Sequence, residues 1–205
     1  MSEHYFSVEP ESPVRYADVT VRAWGHELVL RSASGVFSYG RLDLGTRVLL
    51  RSAQPDPAAR SVLDLGSGYG VLAAALGLAL PAAWVYAVDV NARALELTRA
   101  NLAAHGLDNR AQVSTPAAVP PAVKLDEIWS NPPIRIGKPA VHELLLSWLP
   151  RLAPTGRAVV VIGRNLGADS YQRWLVDEGW SCERIASAKG FRVLEIRSST
   201  GDLSP

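Results

Sequence analysis

With 205 residues, 48% of them hydrophobic and 20% charged, the chain can bury one ordinary core with a small addition, which argues against a disordered chain. The formal net charge of +1 removes any global electrostatic case for nucleic acid, so a basic surface would have to be local. The single cysteine, Cys182, excludes a disulfide framework and a cysteine metal cluster, and fits a reducing cytoplasm.

Taken in chain order, the opening MSEHYFSVEPESP lacks the basic-then-apolar order of a signal peptide. Residues 17–31, ADVTVRAWGHELVLR, alternate polar and apolar about Trp24-Gly25 and predict a hairpin. SASGVFSYGRLDLGT follows as a loop rich in Gly and Ser, and Arg47 to Ser52 reads as the end of a short helix. QPDPAAR then separates this N-terminal addition, residues 1–53, from a second unit, residues 54–200.

From Ser61 strands and helices alternate. SVLDLG is a short apolar run, Val71 to Leu80 a helix stopped by Pro81, and WVYAVDV a second buried strand. The stretch from Val71 to Val88 is uncharged over roughly a membrane-spanning length. Pro81 interrupts it and alanine dominates it, so a buried helix followed by a buried strand explains it better. Asn91 suits the N-cap of ARALELTRANLAAH, and Gly106 stands where a helix C-terminal glycine belongs. QVST is a weaker strand, LDEIWS a stronger one, and Pro139 opens a helix at a favoured position. RAVVVIG is an apolar strand, DSYQRWLVDEG a helix, and WSCERIASAKGFRVLEIRS two strands joined at Lys189-Gly190. The expected fold is therefore α/β, a mostly parallel sheet with helices on both faces and the last strand antiparallel.

Two strand ends carry chemistry. DLGSGYG, from Asp64 to Gly70, follows a strand and opens a helix, where glycines let a ligand approach the backbone. Its G-x-G-x-G spacing departs from the dinucleotide G-x-G-x-x-G and suits a cofactor without a pyrophosphate. Asp89 ends the next strand, where an acidic residue would hold a ribose hydroxyl pair. On the same edge lies WSNPPIRIGK. The Asn131 side-chain carbonyl and the Pro132 main-chain carbonyl are two acceptors that a rigid turn can aim at one NH₂ group. Such a group would engage both hydrogens with the turn and present its lone pair to an electrophilic methyl in line.

DLGSGYG, AVDVN and SNPPIRIGK, in that order, resemble the class I S-adenosylmethionine-dependent methyltransferases, and SNPPIR resembles the branch that methylates exocyclic amines. With GVFSYGRLDLGT ahead of the first strand, the chain is similar to small-domain relatives of the bacterial ribosomal RNA guanine-N2 methyltransferases. The resemblance implies a Rossmann-like, seven-stranded sheet with S-adenosyl-L-methionine as cofactor. It implies that Asp64, Gly66 and Gly68 lie by the methionine end, Asp89 by the ribose with Asn91 nearby, Ser67, Gly70 and Asn131 also against the cofactor, and Phe37, Ser38, Asp43 and Gly45 in a covering loop. Asn131, Pro132, Pro133 and Ile134 would form the amine site. Ile134 replaces the aromatic residue found in adenine-methylating relatives, and Thr115 stands where an acidic residue contacts the cofactor's adenine.

Arg41, Arg135 and Lys138 are candidates for phosphate contacts to RNA, with solvated charge as the plain alternative. His142 reads as a surface or capping residue, and the six tryptophans mostly as core. The expectation is a cytoplasmic N-methyltransferase acting on an exocyclic amine, guanine of ribosomal RNA first, with no metal and no membrane. An adenine amine, a protein glutamine amide and a non-catalytic cofactor-binding module are the competing readings. An NAD-dependent oxidoreductase is disfavoured by the glycine spacing.

Overall fold

A computed structural model describes residues 14–133 and 136–199. The expected hairpin is β1 (Tyr16–Ala23) and β2 (His26–Ala33), joined by Trp24 and Gly25 at φ 48° and 84°. Two successive positive φ values give the turn whose twist suits adjoining strands. The hairpin forms its own two-stranded sheet and does not extend the main one. Its inward residues Val19, Val21, Leu28 and Leu30 are buried in the same hydrophobic cluster as Val62 and Leu76 of the strand-and-helix region.

Beyond it come α1 (Leu44–Ser52), β3 (Ser61–Leu65), α2 (Val71–Ala79), β4 (Trp84–Val88) and α3 (Ala92–Ala104). β5 (Ala111–Ser114), β6 (Leu125–Ser130), α4 (Lys138–Trp148), β7 (Leu152–Gly163), α5 (Ala168–Asp177), β8 (Trp180–Ala188) and β9 (Phe191–Ser198) complete the chain. The main sheet has seven strands in the order β5-β4-β3-β6-β7-β9-β8. β3 to β7 pair in parallel, while β9 inserts antiparallel between β7 and β8. β7 starts at Leu152, earlier than its apolar run. A register shift beside Leu125 lets it pair there, where a side chain on Gly156 would collide with the Leu125 and Asp126 carbonyls.

The two faces of the sheet carry separate cores. Alternate strand residues such as Val62, Trp129 and Val159 pack toward α2 and the hairpin, while Leu63, Ile128 and Val160 pack toward α4 and α5. A strand covered on both faces reads as a continuous apolar run, as VLDL and AVVVIG do. No described helix is long and apolar enough to cross a membrane. The 71–88 stretch is α2, a turn and β4. The strand order reverses between β3 and β6, and this is the point where ligands bind open α/β sheets at the strands' carboxyl ends.

Candidate active site

The glycine turn occupies that point. Gly66, Gly68 and Gly70 have φ 81°, 56° and 86°, a region that side chains with a Cβ rarely adopt. A Cβ on Gly68 would meet nothing within 4 Å, and one on Gly66 only Pro133 Cδ at 3.9 Å, so the floor above the turn is open. Gly70 differs: a Cβ there would stand 3.0 Å from Thr98 Cγ2, so this glycine lets α2 and α3 pack. Hydrogen bonds then lock the turn. Gly66 and Ser67 N–H donate to the Val88 carbonyl, Thr98 Oγ1 donates to Gly68 O, and Asn101 Nδ2 donates to Tyr69 O at 2.7 Å. Sequence reasoning passes over Thr98 and Asn101. Their signal is two polar residues on the otherwise apolar face of α3, both nearly fully buried.

Two carboxylates flank the turn. Asp64, wholly buried at the end of β3, accepts a hydrogen bond from Ala73 N at 2.8 Å. Burial pushes its carboxyl up from 3.8 to about 7, and the nearby Asp89 charge adds to the rise. Asp89 accepts from Gly68 N at 2.8 Å and from Asn91 N at 2.9 Å, and burial raises it too. Neither carboxylate has an ion-pair partner among the described residues. Buried carboxylates without a cation are costly in the free protein. They fit a ligand that brings an ammonium group to one and hydroxyls to the other.

Across the cleft, Asn131 follows β6. Its Nδ2 donates to Asp43 Oδ2 at 2.7 Å and to Thr46 Oγ1 at 3.0 Å. Both amide hydrogens are thereby used, and only the nitrogen can face a carboxylate, so Oδ1 stays free to accept. Ser130 Oγ, buried, donates to Leu65 O at 2.7 Å and ties this turn to the glycine-bearing strand. The Pro133 carbonyl accepts from Ile136 N, while no hydrogen bond among the described residues reaches the Pro132 carbonyl. Asp43 serves twice, because its Oδ2 also caps α1 through Thr46 N at 3.0 Å. Thr46 is thus a site residue that the sequence does not disclose. Only the fold shows that one turn of α1 lies against Asn131.

One cleft is lined by Phe37, Ser38, Asp43, Thr46, Asp64, Gly66, Ser67, Gly68, Tyr69 and Asn131, with Leu42, Val71 and Leu72. Covering loop, glycine turn and Asn-Pro turn, separate in sequence, therefore meet. Tyr69 Oη donates to Arg41 O at 3.0 Å and holds the loop over the turn. Other candidates lie outside this lining. Gly45 packs against Phe191 and Asn131, with a Cβ there only 2.9 Å from Phe191 Cε1. Asn91 is buried, caps α3 through Ala94 N and donates to Gly35 O, so its amide bonds main chain. Thr115 is exposed after β5. Lys138 begins α4 with Nζ 5.7 Å over the Tyr171 ring, and Arg41 is exposed at the loop. Ile134 and Arg135 lie outside the described residues. His142 neither caps nor stands free: its ring stacks on Trp174 at 3.5 Å, and burial lowers its basicity. No group of three potential metal-binding side chains occurs among the described residues.

Sheet order, glycine turn, paired acids and the Asn-Pro turn together define a Rossmann-like S-adenosylmethionine-dependent methyltransferase. The chain belongs to the methyltransferase small domain family, whose model matches residues 27–195. It is 30% identical over 199 residues to the uncharacterized protein YbxB of Bacillus subtilis (strain 168), covering 96% of this chain and 99% of that protein. It is 37% identical over 177 residues to ribosomal RNA small subunit methyltransferase C of Pseudomonas aeruginosa (strain LESB58), covering 84% of this chain and 52% of the relative. The chain thus spans about half the length of that curated methyltransferase. Among solved structures, the T. thermophilus 16S rRNA N2 methyltransferase RsmC in complex with AdoMet and guanosine superposes with TM-score 0.78 at 26% identity, over 92% of this chain and 52% of that one.

Proposed function

We propose that the protein methylates an exocyclic amine of ribosomal RNA, guanine N2 first. The observation that carries this reading is the clamp on Asn131, whose two amide hydrogens are held by Asp43 and Thr46 so that its carbonyl is left as an acceptor. The similarity to ribosomal RNA small subunit methyltransferase C and to RsmC supports RNA as the acceptor.

Bound S-adenosylmethionine supplies an electrophilic methyl group on a sulfonium. Asp64 offers a carboxylate to an ammonium, Asp89 offers one to hydroxyls, and the open faces of Gly66 and Gly68 admit a ligand to the main chain. Asn131 Oδ1 and the Pro132 carbonyl take the two amine hydrogens, which rotates the nitrogen lone pair out of conjugation. Pro132 and Pro133 fix the turn in advance, so little ordering is left to binding. No strong base is needed before attack, because the nitrogen sheds its proton after the methyl arrives. The target base has to be unpaired or swung out of its stack to enter.

Replacing Asn131 by Ala should leave cofactor affinity within a few-fold and cut methyl transfer by about a hundredfold or more, as loss of an orienting group does. Tritium transfer from labelled cofactor to ribosomal subunits, naked RNA, DNA and protein measures this and sorts the acceptors. Transfer at the normal rate by Asn131→Ala would overturn the assigned chemistry.

A further inference from the structure

Beside the cleft, the segment from Phe37 to Arg51 shows solvent an alternation of apolar and basic side chains. Tyr39 and Leu44 are 37% and 44% exposed although large and apolar, and Arg41, Arg47 and Arg51 are exposed among them. On α1 the exposed Leu44, Arg47 and Arg51 recur at i, i+3 and i+7 and so form one stripe, while Val48, Leu49 and Leu50 face the protein.

The charges of this stripe are unspent. None of the guanidinium groups of Arg41, Arg47 and Arg51 has an ion pair or hydrogen bond among the described residues, and α1 carries no acidic side chain. Some arginines elsewhere are used internally: Arg110 donates to the Gly77, Leu80 and Ala83 carbonyls, and Arg157 to Glu127 and Glu195. Like charges at i and i+4 cost a helix a few tenths of a kcal/mol unless an anion lies over them. Arg47 and Arg51 are such a pair. The stripe starts at the residue following Asp43, the cap that holds Asn131, and runs about 10 Å away from the cleft over seven residues.

Guanidinium groups take phosphates, and exposed flat or apolar side chains give unstacked bases a surface. A duplex has no splayed bases to offer Tyr39 and Leu44. An acidic protein would satisfy the arginines and leave those two apolar faces uncovered. We propose that Tyr39, Leu44, Arg47 and Arg51, with Arg41, form the docking face for the single-stranded RNA flanking the target nucleotide. Phosphates sit on the guanidinium groups and a base lies on Tyr39. This rests on RNA as the acceptor and adds how the strand is held.

The test is fluorescence anisotropy with labelled oligouridylate of about 12 nucleotides, titrated over a range of salt. Uracil has no exocyclic amine, so the readout is independent of methyl transfer. Arg47→Ala with Arg51→Ala should lower affinity about tenfold and flatten the log–log salt slope by about 0.7 per arginine. Tyr39→Ala should weaken binding about fivefold with the slope unchanged. A control pair on α5 and β8, Arg173→Ala with Arg184→Ala, should bind as the parent does. Unchanged affinity in the α1 pair, an equal loss in the control pair, equally tight binding of a duplex, or stronger competition by polyglutamate would each overturn the docking face. Stripe-dependent oligouridylate binding by a protein that methylates no RNA would support the docking face and overturn guanine as acceptor.

Discussion

At the scale of residues, the site is governed by which hydrogen-bonding groups are already committed. Asn131 has given away its donors, and Asp64 has not found a cation. The second fact has a pH signature. Folded Asp64 holds its proton up to about 7, whereas an unfolded aspartate releases it near 3.8. Between those values the folded state binds more protons, so stability of the cofactor-free protein falls as pH rises through that window. Asp64→Asn removes the burden. It should raise stability at pH 8 by up to about 4 kcal/mol, at roughly 1.4 kcal/mol for each pH unit of that window, and change little near pH 4. Urea unfolding at the two pH values measures this. In calorimetry the same variant should bind cofactor more weakly, and the parent's affinity should rise as Asp64 ionises. An Asp64→Asn protein no more stable than the parent at pH 8 would refute the buried, unpaired carboxyl.

At the scale of elements, turns and caps decide where side chains point. The positive φ of Gly66, Gly68 and Gly70 is legible in the sequence, because a strand running into a helix through G-x-G-x-G leaves few other conformations. That the three glycines differ in purpose is not. Gly66 and Gly68 leave the floor open, while Gly70 yields to Thr98 on a helix 28 residues further on. Gly70→Ala combines a left-handed backbone with a Cβ at 3.0 Å from Thr98, and should cost about 1–2 kcal/mol or more in denaturant unfolding. Gly68→Ala, with no neighbour within 4 Å, carries the backbone penalty alone and should cost less. Equal losses would show that packing on α3 contributes nothing. Helix α1 gives the converse case. Its end is legible from Arg47 to Ser52, but its first turn is not, and that turn carries Thr46. Asp43 as cap is hidden by the glycines and polar residues around it, which equally suit a loop.

At the scale of the molecule, the end of the central strands away from the cleft is held by charge. Glu127, 1% exposed, accepts from Trp129 Nε1 at 2.8 Å, from Asp56 N at 3.0 Å and from Arg157 Nε at 2.7 Å, while Arg157 also reaches Glu195 at 2.8 Å. Three strands and the linker before β3 converge there. Arg157→Ala would leave a buried carboxylate without its cation, at a cost of about 3–5 kcal/mol. Because this cluster is at the opposite end of the strands from Asn131, cofactor affinity per folded molecule should be unchanged. A thermal melt and a calorimetric titration of one sample test both halves. A stable Arg157→Ala would refute the cost of stranding Glu127, and a variant that folds but loses the cofactor would show that the two ends of the strands are not independent.

Order along the chain suffices for the alternation of strands and helices, the antiparallel last strand, the open glycine turn and the acceptors of the Asn-Pro turn. Each is written in neighbouring residues through backbone sterics, apolar period or the loss of a donor at proline. Contacts between distant segments are decided only on folding: Thr46 and Asp43 against Asn131, Asn101 bridging the hairpin to the glycine turn, and Arg157 between two glutamates. A hydrogen bond across 85 residues leaves no local pattern, since either partner alone is an ordinary polar side chain. Its meaning arises when burial removes water and leaves each donor a single acceptor.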